Sequence, residues 1–323
     1  MTTTDAAVGR AEFDELWETY RSWGNWGADD DIGSLNYVTG AAIAAASRSV
    51  RHGKVFSLAI PMDENGPVTN LPPRYNPSHV MYRDGGDIAF AHAAGEHGYM
   101  STDDAVYMAL QCATQWDSLA HPFYDARMYN GHGPERVPSG GAQRNSIAAA
   151  ADRMVGRGVL LDVARASGRD WLDRGEAVEA DDLERCCASQ GVEVREGDFV
   201  LVRTGRMGAV RARGSWEDEY AGGVGCGLGV SAARFLCPRR VAAVATDTFS
   251  VDVIPNQTRA AGIRCPLHVI LTVGAGIHLG EDWQLEELSA DCAADGVYEF
   301  LLVAQPLPIT GAVGSPVNPQ AIK

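Results

Sequence analysis

Between residues 111 and 121 the chain gathers four side chains able to hold a cation or move a proton: Gln111, Gln115, Asp117 and His121. Two carboxamide oxygens and a carboxylate would make an oxygen-rich shell for a small divalent ion, with an imidazole beside it for acid/base work. All four occupy odd positions, so an extended backbone would aim them at one face. At roughly 3.3 Å per residue the outer two would then stand about 33 Å apart. One ion could not touch them all. A shared site therefore demands a sharp bend, which the small residues Ala113, Ser118 and Ala120 permit. Spacing alone leaves a plainer reading open, in which each is a hydrogen-bonded residue at a strand end or turn, His121 preceding Pro122 included.

The elements that must place these residues follow from periodicity. Apolar runs rich in Val, Ile, Leu and Phe at 55–60, 105–110, 158–163, 199–203, 241–245 and 297–303 read as strands. Helical patterns fall at 13–23, 41–50, 180–190 and 231–236, the third opening on Asp181 and Asp182 at its positive end. Strands outnumber long helices and are irregularly spaced. The expectation is an α/β fold with an irregular, barrel-like central sheet and helices outside, rather than a regularly alternating doubly wound sheet. Residues 64–77 and 131–141 read as long loops within one domain spanning 1–323, with 1–20 as an N-terminal extension or helix.

Composition narrows the function. The net charge of −15 and the lack of a Lys/Arg cluster exclude phosphate-backbone attraction as a main source of affinity, so nucleic acid is not an expected partner. The first twenty residues carry five acids and no basic segment leading into an apolar stretch, so neither a secretory signal nor a membrane span is expected. Seven scattered cysteines, an odd number with no CxxC pair, suit reduced thiols in the cytoplasm. Adjacent Cys186 and Cys187 read as buried helix residues. The glycine-rich stretch 223–229 lacks a convincing preceding strand and a following Lys-Ser/Thr, so it reads as a flexible loop and not a nucleotide site. No GxSxG elbow is present.

The 111–121 segment resembles the signature HxxTHxDxPxH of the cyclase family, which includes bacterial kynurenine formamidases and isatin hydrolases. Thr114, Asp117 and His121 match it, whereas Gln111 and Gln115 stand where histidines would be and Leu119 replaces the proline. Together with Met128, Tyr129, Asn130 and Gly131, the segment is similar to a glutamine-bearing branch to which trans-dienelactone hydrolase-like proteins belong. Further matches at 26–36, 158–162, 197–205, 247–252 and 311–316 extend the resemblance over roughly residues 20 to 316.

The resemblance implies a swivelling β/β/α fold, assembly as a homodimer or larger homo-oligomer, and metal ligation by Gln111, Gln115 and Asp117. His268 and Glu281 would form a possible second set; a buried strand and turn is the other reading of that stretch. Exchanging imidazole for amide oxygen hardens the site, so Mn²⁺ ranks beside Zn²⁺. Metal-activated water would open a small lactone, cyclic amide or aryl amide, with His121 as general base and then acid. Trp116 would stack on a flat substrate, an ordinary core position being its other reading. The rival expectation is a metal-free, non-catalytic binding or assembly protein in which the two glutamines mark a lost metal site.

Overall fold

Four strands, Val155–Asp162, Phe199–Arg203, Ala243–Thr246 and His278–Glu281, run parallel at the centre of a nine-stranded sheet. The computed structural model describes residues 8–217 and 220–323, so the first seven residues of the expected N-terminal extension lie outside it. Residues 159–161, 199–202 and 243–245 are apolar at successive positions because both faces are covered. Val159, Leu161, Val200, Val202, Val244 and Leu279 join one core cluster, while Leu160, Phe199, Leu201, Ala243 and Ala245 join another on the opposite face.

Antiparallel strands flank this centre. Glu299–Val303, Gln320–Ile322 and Val55–Ser57 extend it on one side. On the other, Gln115–Asp117 pairs with His278–Glu281, and Gly314–Pro316 forms the outer edge. The result is a mixed α/β architecture in which a curled, half-barrel sheet is surrounded by helices.

Helix Arg10–Tyr20 buries Phe13, Leu16 and Trp17, the three- and four-residue spacing of one helical stripe, against the first cluster. Helix Ala180–Gln190 begins with a capping box between Glu179 and Asp182 and stops at left-handed Gly191. Its acidic first turn is the signal visible in the sequence. Among the described residues, no helix is long and apolar enough to cross a membrane.

Two expectations need correction. The run at 105–110 is a strand only as far as Tyr107, and it lies outside the central sheet. Strand Asp103–Tyr107 pairs instead with Ser78–Arg83 in a separate two-stranded ribbon that also carries helix Gly85–Ala93. No residue from 78 to 107 is buried, so the alternation there sorts side chains between two open faces rather than into a core. The chain then turns through residues 108–114 before entering the main sheet.

The second correction concerns Trp116. Successive strand residues point to opposite faces, so Gln115 and Asp117 share one side and Trp116 takes the other. There it is fully buried, edge-on to Trp283 at 4.8 Å between ring centroids, with Nε1 donating to the Ala304 carbonyl at 2.8 Å. It is a core pillar and cannot stack on a substrate. Trp116→Ala should cost about 3–5 kcal/mol of stability, read from urea unfolding. A variant with wild-type stability and a raised KM would restore the substrate role.

Candidate active site

The strand Gln115–Asp117 is only three residues long, and the chain bends at both ends. After it, the His121 N–H donates to the Ser118 carbonyl at 3.0 Å, and the Ala120 N–H to the Ser118 hydroxyl at 3.1 Å. This turn brings His121 back beside Asp117, Nε2 standing 3.9 Å from Oδ2. Before the strand, Thr114 donates its hydroxyl to the Asp282 carbonyl and accepts from the Ile60 N–H, which pins the entry point next to Glu281.

Cross-strand register supplies the rest. Gln115 lies directly opposite Glu281, and its Nε2 donates to Glu281 Oε2 at 2.9 Å. Directly opposite residues share a face, so the alternation that aims Gln115 inward also aims Glu281 inward. Asp117 is opposite Gly314 on the outer strand, where an added Cβ would sit 2.5 Å from Gln111 Nε2. Glycine there leaves the space that the Gln111 amide fills, over the same face as the carboxylate.

His268 comes from a separate element, the π-helical turn His268–Gly274. Asp252 fixes it from behind: its carboxylate accepts from the Leu267 N–H at 2.8 Å, the His268 N–H at 3.2 Å and, as the short contact indicates, His268 Nδ1 at 2.6 Å. The stretch starting at 268 is therefore a capped helical turn that becomes strand only at His278. With Nδ1 held by Asp252, Nε2 faces the acids, 3.7 Å from Asp117 Oδ2 and 3.4 Å from Glu281 Oε1.

Asp117, His121, His268 and Glu281 line a cavity of about 530 Å³. Gln115 is buried behind them, while half-buried Gln111 sets its amide against Gly314. Both Asp117 oxygens, Gln115 Oε1 and Gln111 Nε2 are buried without a hydrogen-bond partner. An ionised carboxylate left so is costly unless a cation compensates it.

The donor set fits a divalent cation. One ligand atom from each of Asp117, His268 and Glu281 lies within 4.8 Å of the others. Tetrahedral ligands at about 2.1 Å from an ion stand roughly 3.4 Å apart, close to the observed His268 separations. Burial would raise the Asp117 carboxyl, but His121 and His268 outweigh it and hold its pKa below the usual range. For His268, burial works to lower the pKa, yet Asp117, Asp252 and Glu281 together push it well above the ordinary imidazole value.

Asp252 and Arg74 are site residues that the sequence reading did not single out. Asp252 belongs to a recognised stretch but nothing in its spacing marks it as the partner of a histidine sixteen positions on. Arg74 sits in the loop at 64–77, donating to the Gln111 carbonyl at 3.3 Å with NH2 3.5 Å from His121 Nε2. The 223–229 stretch is not a flexible loop: Gly227–Leu228 is a buried strand paired with Ala177–Val178, and an added Cβ on Gly229 would collide with the Glu179 carboxylate. That excludes a phosphate there.

A curled mixed sheet whose antiparallel strand sets a buried acid and amide beside imidazoles from a turn and a π-helix defines a class of candidate metal-site proteins. The family profile described as "Putative cyclase" matches residues 56–253, more than half of the chain. A crystal structure described as a novel cyclase is 38% identical with a TM-score of 0.84, covering 94% of this chain and 100% of that one. The chain belongs to the cyclase family, and its architecture is that family's fold.

Isatin hydrolase A from Labrenzia aggregata, bound to benzyl benzoate, is 20% identical with a TM-score of 0.58, covering 86% of this chain and 95% of that one. Isatin hydrolase A from Ralstonia solanacearum is 18% identical with a TM-score of 0.61, covering 88% and 97% respectively. These two share the fold. No curated protein matches the chain.

If Asp252 orients a ligand, Asp252→Asn should weaken Mn²⁺ binding about 10–100-fold in a folded protein. Because the proton on His268 is stabilised by three carboxylates, it must leave before the imidazole can ligate, and wild-type affinity should rise with pH. Calorimetric titration at two pH values checks both; equal affinity in variant and wild type would place the cation elsewhere.

Proposed function

We propose that this protein is a metal-dependent hydrolase that opens a small lactone, cyclic amide or aryl amide. The observation that carries the reading is the buried Asp117 carboxylate, both oxygens partnerless, beside His121, His268 and Glu281 at a cavity. The hydrolase names of the structural neighbours support the reaction class.

Asp117, Gln115, His268 and Glu281 are the residues that would hold the ion, with Gln111 as a further amide behind them. When bound, a divalent cation supplies Lewis acidity, polarising a carbonyl and acidifying water. An oxygen-rich donor set with imidazole suits Mn²⁺ as well as Zn²⁺.

His121 performs the proton transfers. It keeps about a quarter of its side chain exposed, at the cavity wall, where it can reach a water and then the leaving group. Imidazole suits both directions because its ring nitrogens can accept a proton and give it back. Asp252 keeps His268 in one tautomer with Nε2 toward the acids, and Gln115 steadies Glu281 through its amide N–H. Among lactones and amides, enol-lactones are preferred on the glutamine-bearing motif.

The metal-free alternative would leave Asp117 buried without a hydrogen bond to either oxygen and with only His121 and His268, at 3.9 and 3.7 Å, to offset its charge, which weighs against it. The seven cysteines, all free, favour a reducing compartment such as the cytoplasm. Residues 78–107 expose Tyr82, Phe90, Tyr99 and Tyr107 on a ribbon with no buried residue. An isolated two-stranded ribbon is marginal and exposed apolar patches mark interfaces, so a homo-oligomer, with a second copy covering this ribbon, completes the proposal.

Elemental analysis of untagged protein should find a divalent transition metal. Assays on lactones, cyclic amides and aryl formamides should find turnover in the wild type, with loss of at least about 100-fold in kcat for His121→Ala and loss of both metal and activity for Asp117→Asn. Undiminished hydrolysis in both variants refutes the assignment.

A further inference from the structure

Cys265 lines the same cavity, half-buried, three residues before His268. One ligand atom from each of Asp252, Cys265 and His268 lies within 4.8 Å of the others, and among the described residues no other cysteine joins two potential metal ligands in this way. The group shares only His268 with the set formed by Asp117, His268 and Glu281. Asp252 approaches the imidazole from its Nδ1 side, 2.6 Å away, whereas Nε2 faces Asp117 and Glu281.

The backbone around the thiol is fixed. The Cys265 N–H donates to Asn256 Oδ1 at 2.9 Å, and its carbonyl accepts from the Val269 N–H at 3.1 Å. Its φ of 46° is the left-handed conformation that a residue with a side chain rarely adopts. The Asp252 carboxylate is fixed too, by the Leu267 and His268 N–H groups. Because Cys265 is half-buried on the cavity wall, an ion has a path to the group.

Donor type decides which ion that would be. Thiolate selects thiophilic cations such as Zn²⁺ and Cd²⁺, whereas Mn²⁺ and Mg²⁺ prefer oxygen. Burial, with Asp252 beside it, raises the Cys265 pKa, so the group stays a thiol until an ion displaces its proton to solvent. One carboxylate and one thiolate then cancel the charge of a divalent ion. Tetrahedral ligands stand roughly 3.4 Å apart, so Asp252 and Nδ1 must open their 2.6 Å contact by about 0.8 Å to admit it. A neutral imidazole offers one lone pair for ligation. When an ion takes Nδ1, the ring proton passes to Nε2, and His268 no longer completes the set with Asp117 and Glu281.

We infer that Asp252, Cys265 and His268 form a second cation site, selective for thiophilic divalent ions, whose occupation withdraws His268 from the Asp117 site and shuts it. The ligand group stands on its own geometry; only its inhibitory effect on turnover rests on the hydrolase reading.

Titration with CdCl₂ reads the ultraviolet thiolate-to-cadmium charge-transfer band, while paramagnetic resonance reads Mn²⁺ released from Mn²⁺-loaded protein. Cd²⁺ should raise the band and release Mn²⁺ over the same concentration range. Cys265→Ser and Cys265→Ala should remove the band and weaken Cd²⁺ binding about tenfold or more, with Mn²⁺ affinity falling far less. Asp252→Asn and His268→Gln should also weaken Cd²⁺ binding, with circular dichroism reporting that each variant is folded.

A band that survives Cys265→Ser puts the ion on another cysteine and overturns the inference. So does a Cys265-dependent band that appears with Mn²⁺ still bound. Release of Mn²⁺ at the same Cd²⁺ concentration in Cys265→Ser as in the wild type is plain exchange at the Asp117 site and overturns it as well. Where the protein turns over a lactone or amide, Cd²⁺ should inhibit with the same dependence on Cys265. No turnover of any such compound, with the band and the Mn²⁺ release intact, would sink the hydrolase reading and uphold the second site.

Discussion

A negative charge sealed from water constrains this structure more than any other single feature. Asp117 is about 1% exposed, at the edge of a sheet otherwise filled with aliphatic side chains, and neither of its oxygens meets a donor. Taking a carboxylate out of water costs several kcal/mol even after the surroundings relax. The neighbours are arranged to offset that cost. Two imidazoles stand at 3.7 and 3.9 Å, one of them backed by a second buried acid, and Gln115 turns its N–H toward Glu281 and leaves its oxygen unspent. Carboxylates and a free amide oxygen directed at a shared space make a poor apolar core and a suitable cation cradle.

The sheet makes this arrangement possible by separating faces. In Gln115–Asp117 the two polar residues point into the cavity and the tryptophan between them points into packed core, where it meets Trp283. Two glycines allow the separation. At Gly314 a side chain would displace the Gln111 amide, and at Gly280 an added Cβ would stand 2.7 Å from both Ala245 Cβ and Trp283 Nε1. The polar site and the aromatic pillar therefore share one strand without mixing, and the rigidity of the pillar is transmitted to the carboxylate beside it.

Charge is zoned around the cavity. Acids occupy the part nearest the sheet, with His268 drawn above its ordinary pKa among them. Arg74 and Arg264, with aromatic and aliphatic side chains, contribute to the rest of its lining. Gln115, Asp117 and Glu281 are held on sheet strands, His121 on the turn that follows and His268 on a π-helical turn.

The sequence by itself determined the mixed class, the strand Phe199–Arg203, the helix Ala180–Gln190 and the concentration of polar donors at 111–121, because each is written in local periodicity, capping residues or residue type. It also required a bend around Ala113, Ser118 and Ala120, since an extended chain could not gather those donors. It did not determine that 103–107 leaves the main sheet, that Trp116 faces away from the cavity, or that Asp252 holds His268. It did not show that Arg74, from a proline-rich loop, reaches His121 either. Each of these depends on strand register or on contacts between residues far apart in the chain. A shift of one position reverses every side chain on a strand, and only the packed tertiary structure decides that register.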